Sequence, residues 1–141
     1  MDNLTLLYQQ MILDHSRNPR FYGAKEHIIK HSCYNPLCGD EIEIYCELKQ
    51  NKIIQLSFTG SGCAISMASA SLMVEALQGA DKEEFKRQLL WFKSLAKGED
   101  VSQYNISTSK LEVMQGVSQY PMRVKCATCA WHALEGAIDK E

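Results

Sequence analysis

Hydrophobic positions at the start of the chain recur at helical spacing. Leu4, Leu7, Tyr8, Met11 and His15 fall on one stripe, which predicts a helix over residues 4–15. Asp2 or Asn3 can cap it. Asn18-Pro19 ends it, because the residue before a proline is pushed out of helical geometry. The period then changes to two. Residues 26–33 carry a faint alternation and residues 41–48 a clear one. Ile42, Ile44, Cys46 and Leu48 share one face there, and Glu41, Glu43, Tyr45 and Glu47 the other. Asn51 marks a turn, and Ile54, Leu56 and Phe58 make a third alternating segment. Connections this short predict antiparallel neighbours.

The alternation stops at Gly60-Ser61-Gly62-Cys63. From Cys63 to Leu77 the chain reads as a helix rich in Ala and Ser, with Gly79 just beyond its end. Asp81 and Glu84 form a capping box for a further helix that turns Phe85, Leu89, Phe92 and Leu95 inward, and Gly98 closes it. Residues 99–108 read as an exposed loop, followed by a short helix over Ser109–Val117. Pro121 breaks the chain. The last helix begins near Cys126 and buries Ala127, Ala130, Trp131, Leu134 and Ile138. This order of elements predicts one α+β domain over residues 1–141, without internal repeats, low-complexity stretches or a linker.

Composition narrows the function class. Hydrophobic residues make up 45% and charged residues 23% of 141 residues, enough for a real core without disulfide staples. Net charge is −2 and no basic stripe is present, which argues against a nucleic-acid partner. No apolar run approaches a membrane span. Met1-Asp2-Asn3-Leu4 lacks the features of a signal peptide, so a cytoplasmic protein is expected. Cytosolic thiols are kept reduced, and six cysteines therefore point to metal or redox chemistry before disulfides.

Three of the cysteines occupy special places. Cys38 lies in a Pro-stiffened turn, where Gly39 permits positive φ and lets residues 38 and 40 aim at one point. Cys63 sits at a predicted helix N-terminus behind Gly-Ser-Gly. Cys126 sits at the start of the last helix, after Arg123 and Lys125. Helix N-termini and nearby cations favour thiolate over thiol, so Cys63 and Cys126 are candidates for low-pKa thiols. Cys38, Cys63, Cys126 and Asp40 together suit a four-coordinate zinc ion or the edge of an iron–sulfur cluster, and spacing alone leaves buried, idle thiols as the alternative. A carboxylate among thiolates is a harder, more exchangeable ligand, fit to gate release of a cargo.

Several stretches resemble one family. Tyr8-Gln9-Gln10-Met11-Ile12-Leu13-Asp14-His15 with Asn18-Pro19-Arg20 looks like the opening of IscU/SufU proteins. Asn35-Pro36-Leu37-Cys38-Gly39-Asp40, then Gly62-Cys63-Ala64-Ile65-Ser66 with Ala68-Ser69-Ala70-Ser71, then Arg123-Val124-Lys125-Cys126-Ala127-Thr128 resemble their three ligand motifs in order. Lys125 stands where IscU-type scaffolds carry His, and the stretch between the second and third motifs is longer, as in the SufU branch. The resemblance, to the IscU/SufU/NifU N-terminal-domain family, implies an α+β fold with a small three-stranded antiparallel sheet against several helices and a metal site at one end. It implies zinc held by Cys38, Asp40, Cys63 and Cys126, and Cys38 as acceptor of persulfide sulfur. The implied partners are a SufS-type, pyridoxal-phosphate-dependent cysteine desulfurase and downstream iron–sulfur assembly proteins. An accessory sulfur-transfer protein is implied rather than a stand-alone enzyme. The alternative is a scaffold on which Cys38, Cys63 and Cys126 hold a [2Fe–2S] or [4Fe–4S] cluster. A purely structural zinc domain is a third reading.

Cys129 departs from the family pattern and makes a C-x-x-C with Cys126. It could replace Asp40 as a ligand or form a redox pair; the expectation is a small side chain packed in a helix. Cys46 reads as core and Cys33 as structural. His15, His27, His31 and His132 share no ligand spacing, and His15 is expected to pack or hydrogen-bond.

Overall fold

The computed structural model describes residues 3–26, 28–36, 38–106 and 109–139, with the backbone alone for residues 3–5. Asp2, His27, Leu37 and the side chains of Asn3 and Leu4 therefore lie outside the described residues. Helix α1 spans Asn3–Arg17, followed by strands β1 (Ile29–Asn35), β2 (Asp40–Lys49) and β3 (Lys52–Ser61). Helices α2 (Ala64–Leu77) and α3 (Lys82–Ala96) come next, then a 3₁₀ turn at Ser102–Tyr104, a 3₁₀ helix at Lys110–Val117 and helix α4 (Pro121–Asp139). The strands form one antiparallel sheet in the order β1-β2-β3. Helix α4 packs across β1 and β2, α2 lies between α4 and β3, and α1 covers α2. The α+β class and its three-stranded sheet are as the sequence predicts.

The differences have local causes. In α1, Leu7 is exposed; the buried face is Tyr8, Met11, Ile12 and His15, which keeps the i, i+3, i+4, i+7 spacing but begins one turn later than the expected stripe. Strand β1 runs to Asn35 rather than Cys33 because Asn35 pairs with Asp40, and Pro36, which has no N–H, ends the ladder. In β3 a bulge opposite Glu47/Leu48 leaves Ile54 unpaired and exposed, while Ile53 is buried with Leu56 and Phe58. Tyr45, expected outside, is buried; its hydroxyl donates to Glu43 Oε2 at 2.7 Å and contacts Thr59 Oγ1 at 3.2 Å, which lays the ring along the sheet. Glu84 does not reach back to complete a box. Asp81 accepts its N–H at 2.8 Å, but its carboxylate binds Arg87 and Gln88.

Pro121 begins α4 rather than interrupting the chain. At the first helical position its missing N–H costs nothing and its fixed φ suits the helix. The consequence is that Cys126 lies inside the helix, not at its start.

The free edge of β3 is covered by the segment after α1. The Gly23 N–H donates to the Phe58 carbonyl at 2.8 Å and the Phe58 N–H to the Phe21 carbonyl at 3.2 Å. On the helical side, Trp131 stacks on Phe92 at 4.6 Å and faces Phe85 at 6.4 Å between ring centres. This aromatic stack holds α3 against α4. His15 Nδ1 lies 2.7 Å from the Ser71 hydroxyl, which also accepts the Arg20 N–H at 2.9 Å, so one buried serine fastens α1 and its exit to α2.

Candidate metal centre

Three chain junctions meet at one end of the sheet. The first is the β1–β2 turn. Asn35 and Asp40 close it as a pair, and the Cys38 N–H donates to the Asn35 carbonyl at 3.3 Å. Gly39 has φ +71°, the positive value that the turn demands and glycine supplies. Asp40, the first residue of β2, is fully buried, while Cys38 stays half-exposed.

The second junction joins β3 to α2. Cys63 is the residue before the helix, in extended geometry, and its thiol makes no capping bond. Its N–H donates to Asp40 Oδ1 at 2.9 Å, and the Ser66 hydroxyl donates to the same oxygen at 3.0 Å. Gly62 has φ +154°, and a Cβ there would meet Asp40 and the Ser66 hydroxyl. Glycine is thus required for the closest approach of this junction to the carboxylate.

The third contribution comes from α4. Cys126 is buried, with its Sγ 3.0 Å from Cys38 Sγ. The Asn35 amide reaches both Asp40 Oδ2 at 3.4 Å and Cys126 Sγ at 3.7 Å. The donor atoms of Cys38, Asp40 and Cys126 lie within 4.8 Å of one another. Cys63 adjoins them through its backbone, whose N–H holds Asp40, but its thiol lies outside this group of three. Two sulfurs and a carboxylate converge, a donor set suited to a thiophilic cation, and of the four expected ligands the Cys63 thiol is the one the structure does not bring into the group.

The electrostatics differ from the sequence expectation at Cys126. Burial, then hydrogen bonds with Cys38, Asp40 and Cys63, push its thiol well above the ordinary range. It lies inside α4, away from the free N–H groups of the helix end, and the Arg123 guanidinium sits over the Tyr120 ring at 4.5 Å. A low thiol pKa at Cys126 is therefore not built into the protein matrix; a bound cation would be needed to hold it as thiolate. For Asp40, burial pushes the carboxyl up. The Cys63 N–H and the Cys126, Ser66 and Cys63 side chains outweigh it, leaving the carboxyl below its usual range. Asp40 is thus a preformed anion.

The remaining cysteines divide. Cys46 is fully buried beside Ile44, as expected of a core residue. Cys33 and Cys129 are not separate packed thiols: they are joined as a disulfide with Cα atoms 5.6 Å apart. Cys129 is therefore not a substitute for Asp40, and the preference for metal chemistry over disulfides does not hold for this pair. His15 hydrogen-bonds to Ser71, as expected, and burial lowers its pKa. Asn35 and Ser66 are site residues whose place in the motifs does not by itself announce a role. Their signal was adjacency to Asp40 in one case and to Cys63 in the other.

The NifU-like N terminal domain model matches residues 7–140. The chain belongs to that family. Within the NifU-like family, it is 40% identical over 139 residues to the zinc-dependent sulfurtransferase SufU of Bacillus subtilis, covering 99% of this chain and 94% of the relative. It is 34% identical over 140 residues to the iron–sulfur cluster assembly scaffold protein IscU of Streptococcus pyogenes serotype M1, covering 99% and 87%. Among solved structures, a candidate iron–sulfur cluster assembly scaffold for the SUF system from Fervidobacterium islandicum superposes with TM-score 0.85 at 31% identity, over 94% of this chain and 97% of that one. The fold is the NifU-like fold throughout.

Proposed function

We propose that this NifU-like protein is a cytoplasmic, zinc-bound sulfur carrier of iron–sulfur cluster assembly that accepts persulfide sulfur on Cys38 from a SufS-type cysteine desulfurase. The observation that carries the reading is the convergence of Cys38, Asp40 and Cys126, with Cys63 beside them, at a solvent edge where Cys38 alone of the three is accessible. The similarity to a zinc-dependent sulfurtransferase supports zinc as the cation and sulfur as the cargo.

The residues divide the work. Cys63, Cys126 and Asp40 would hold zinc together with Cys38, and zinc, when bound, keeps these thiols deprotonated and shielded from oxidation. Asn35 and Ser66 fix the Asp40 carboxylate, so its oxygens arrive already oriented. Cys38, on its turn, can leave the cluster without moving a helix. As a free thiolate it attacks the outer sulfur of the desulfurase persulfide. A new S–S bond forms on Cys38, the partner's S–S bond breaks, and the partner cysteine departs as thiolate. Downstream assembly proteins then take the sulfur.

The test is a desulfurase assay with wild type and Cys38→Ser, with metal measured on both. Wild type is expected to stimulate turnover and to carry sulfur on residue 38; Cys38→Ser is expected to do neither. Stimulation that survives in the variant overturns the assignment. Purification of wild type with a visible-absorbing cluster and acid-labile sulfide in place of zinc would favour scaffolding, the role named for the IscU relative.

A further inference from the structure

The inward side chains of β1 meet one face of α4 in a regular seam. His31 lies against Gly136, Cys33 is bonded to Cys129, and the Asn35 amide reaches Cys126. The disulfide is thus the neighbouring rung to the metal cluster: two residues along the strand, and one turn along the helix. The two sulfurs are unequal. Cys33 is half-buried and Cys129 only 1% exposed. Both line an open groove of about 340 Å³, walled by Tyr34, Pro36, Lys125 and His132. A reachable first cysteine, a sheltered second one and a neighbouring Lys125 side chain suit a thiol–disulfide exchange centre. A purely structural staple would need no groove.

We propose that Cys33 and Cys129 form a redox-active pair whose dithiol state reduces sulfane sulfur, carried into the groove as a small persulfide, to sulfide. The inference rests on the sulfur-transfer reading for its substrate class. The Cys33 thiolate attacks the outer sulfur of R–S–SH; the S–S bond of the persulfide breaks, and the thiol R–SH leaves after taking a proton. Cys129 then attacks Cys33 Sγ. The Cys33–Cys129 bond forms, and the sulfane sulfur departs with the electron pair as hydrosulfide. One persulfide and two cysteine thiols give one thiol, one hydrogen sulfide and one disulfide. Two electrons pass from the cysteines to sulfur, and an external dithiol resets the pair. The groove is small enough to favour low-molecular-weight persulfides.

The experiment uses the protein as purified, reduced anaerobically, freed of reductant and mixed with glutathione persulfide without any desulfurase. Sulfide is measured above a protein-free blank, and the cysteine linkages are mapped by mass spectrometry. Wild type is expected to release about one sulfide per chain, the yield of one two-electron couple, as the Cys33–Cys129 linkage appears. An added dithiol should allow repeated turnover. Cys129→Ser is expected to hold sulfur on Cys33 without releasing it, and Cys33→Ser to do neither. Sulfide release by Cys129→Ser at the wild-type yield, or release by wild type without that linkage, would overturn the proposal. The wild-type mapping needs no variant, so misfolding of a mutant does not shield the idea. Because no desulfurase is present, failure here leaves sulfur acceptance by Cys38 standing, and failure of Cys38 in the desulfurase assay leaves this activity standing.

Discussion

Asp40 organises its neighbours before it binds anything. Its fully buried carboxylate accepts from the Cys63 N–H, the Ser66 hydroxyl and the Asn35 amide. Asp40→Ala leaves the Cys63 N–H without its acceptor, at about 1–3 kcal/mol for an orphaned group, while Ser66 keeps the Cys63 carbonyl and Asn35 keeps Cys126 Sγ. A fall in thermal stability is the expected result, measured by calorimetry. If the carboxylate is also the exchangeable ligand, the same variant loses zinc more slowly to a chelator than wild type; faster loss marks an ordinary ligand. Gly62→Ala tests the neighbouring junction. The new Cβ meets Asp40 and Ser66 at a φ unfavourable to alanine, and weaker metal retention is expected by chelator competition. At this scale the sequence disclosed the donor types and their turn and helix-entry settings for Cys38, Asp40 and Cys63. It placed Asn35 and Ser66 beside the ligands but gave no sign of their roles, because the Asn35 contact with Cys126 and the Ser66 contact with Asp40 join separate segments. Nor could it disclose the Cys33–Cys129 bond, which joins residues 96 positions apart.

Helices and strands were legible where one face is clearly apolar. The alternation of β2 and the inward Phe85, Leu89, Phe92 and Leu95 of α3 needed no tertiary information. The bulge at Ile54 and the start of α4 were not legible, since a one-residue slip and a proline at a first helical position look locally like a strand and a break. Where α4 begins decides the chemistry of Cys126: burial inside the helix, not a helix end, sets its thiol. The same helix carries Trp131, stacked between Phe85 and Phe92. Trp131→Ala is expected to cost about 3–5 kcal/mol in denaturant unfolding, by removing the centre of that stack. Between α1 and α2, burial lowers the pKa of His15. The unfolded chain then binds the proton more readily, so this contribution is full above the unfolded histidine pKa and declines as pH falls below it. His15→Asn, which can keep the contact with Ser71, should flatten the loss of stability between about pH 7 and 5, the range in which an ordinary histidine titrates. An unchanged slope would assign the acid sensitivity elsewhere, with His132, also lowered by burial, the next candidate.

Across the whole molecule, the candidate metal centre joins the β1–β2 turn to α4, and the β3–α2 junction is tied to it through the Cys63 N–H on Asp40; the three are distant in sequence and meet only in the fold. A ligand that binds only this arrangement stabilises it by mass action, about 4 kcal/mol at a thousandfold excess over Kd. Stripping zinc should therefore lower the melting temperature, and restoring it should recover the loss. No helix among the described residues is long and apolar enough to cross a membrane. The most direct test is zinc K-edge X-ray absorption on the purified protein. The account predicts three sulfur neighbours at about 2.3 Å and one oxygen at about 2.0–2.2 Å. A shell of four sulfurs, or one without sulfur, would contradict it.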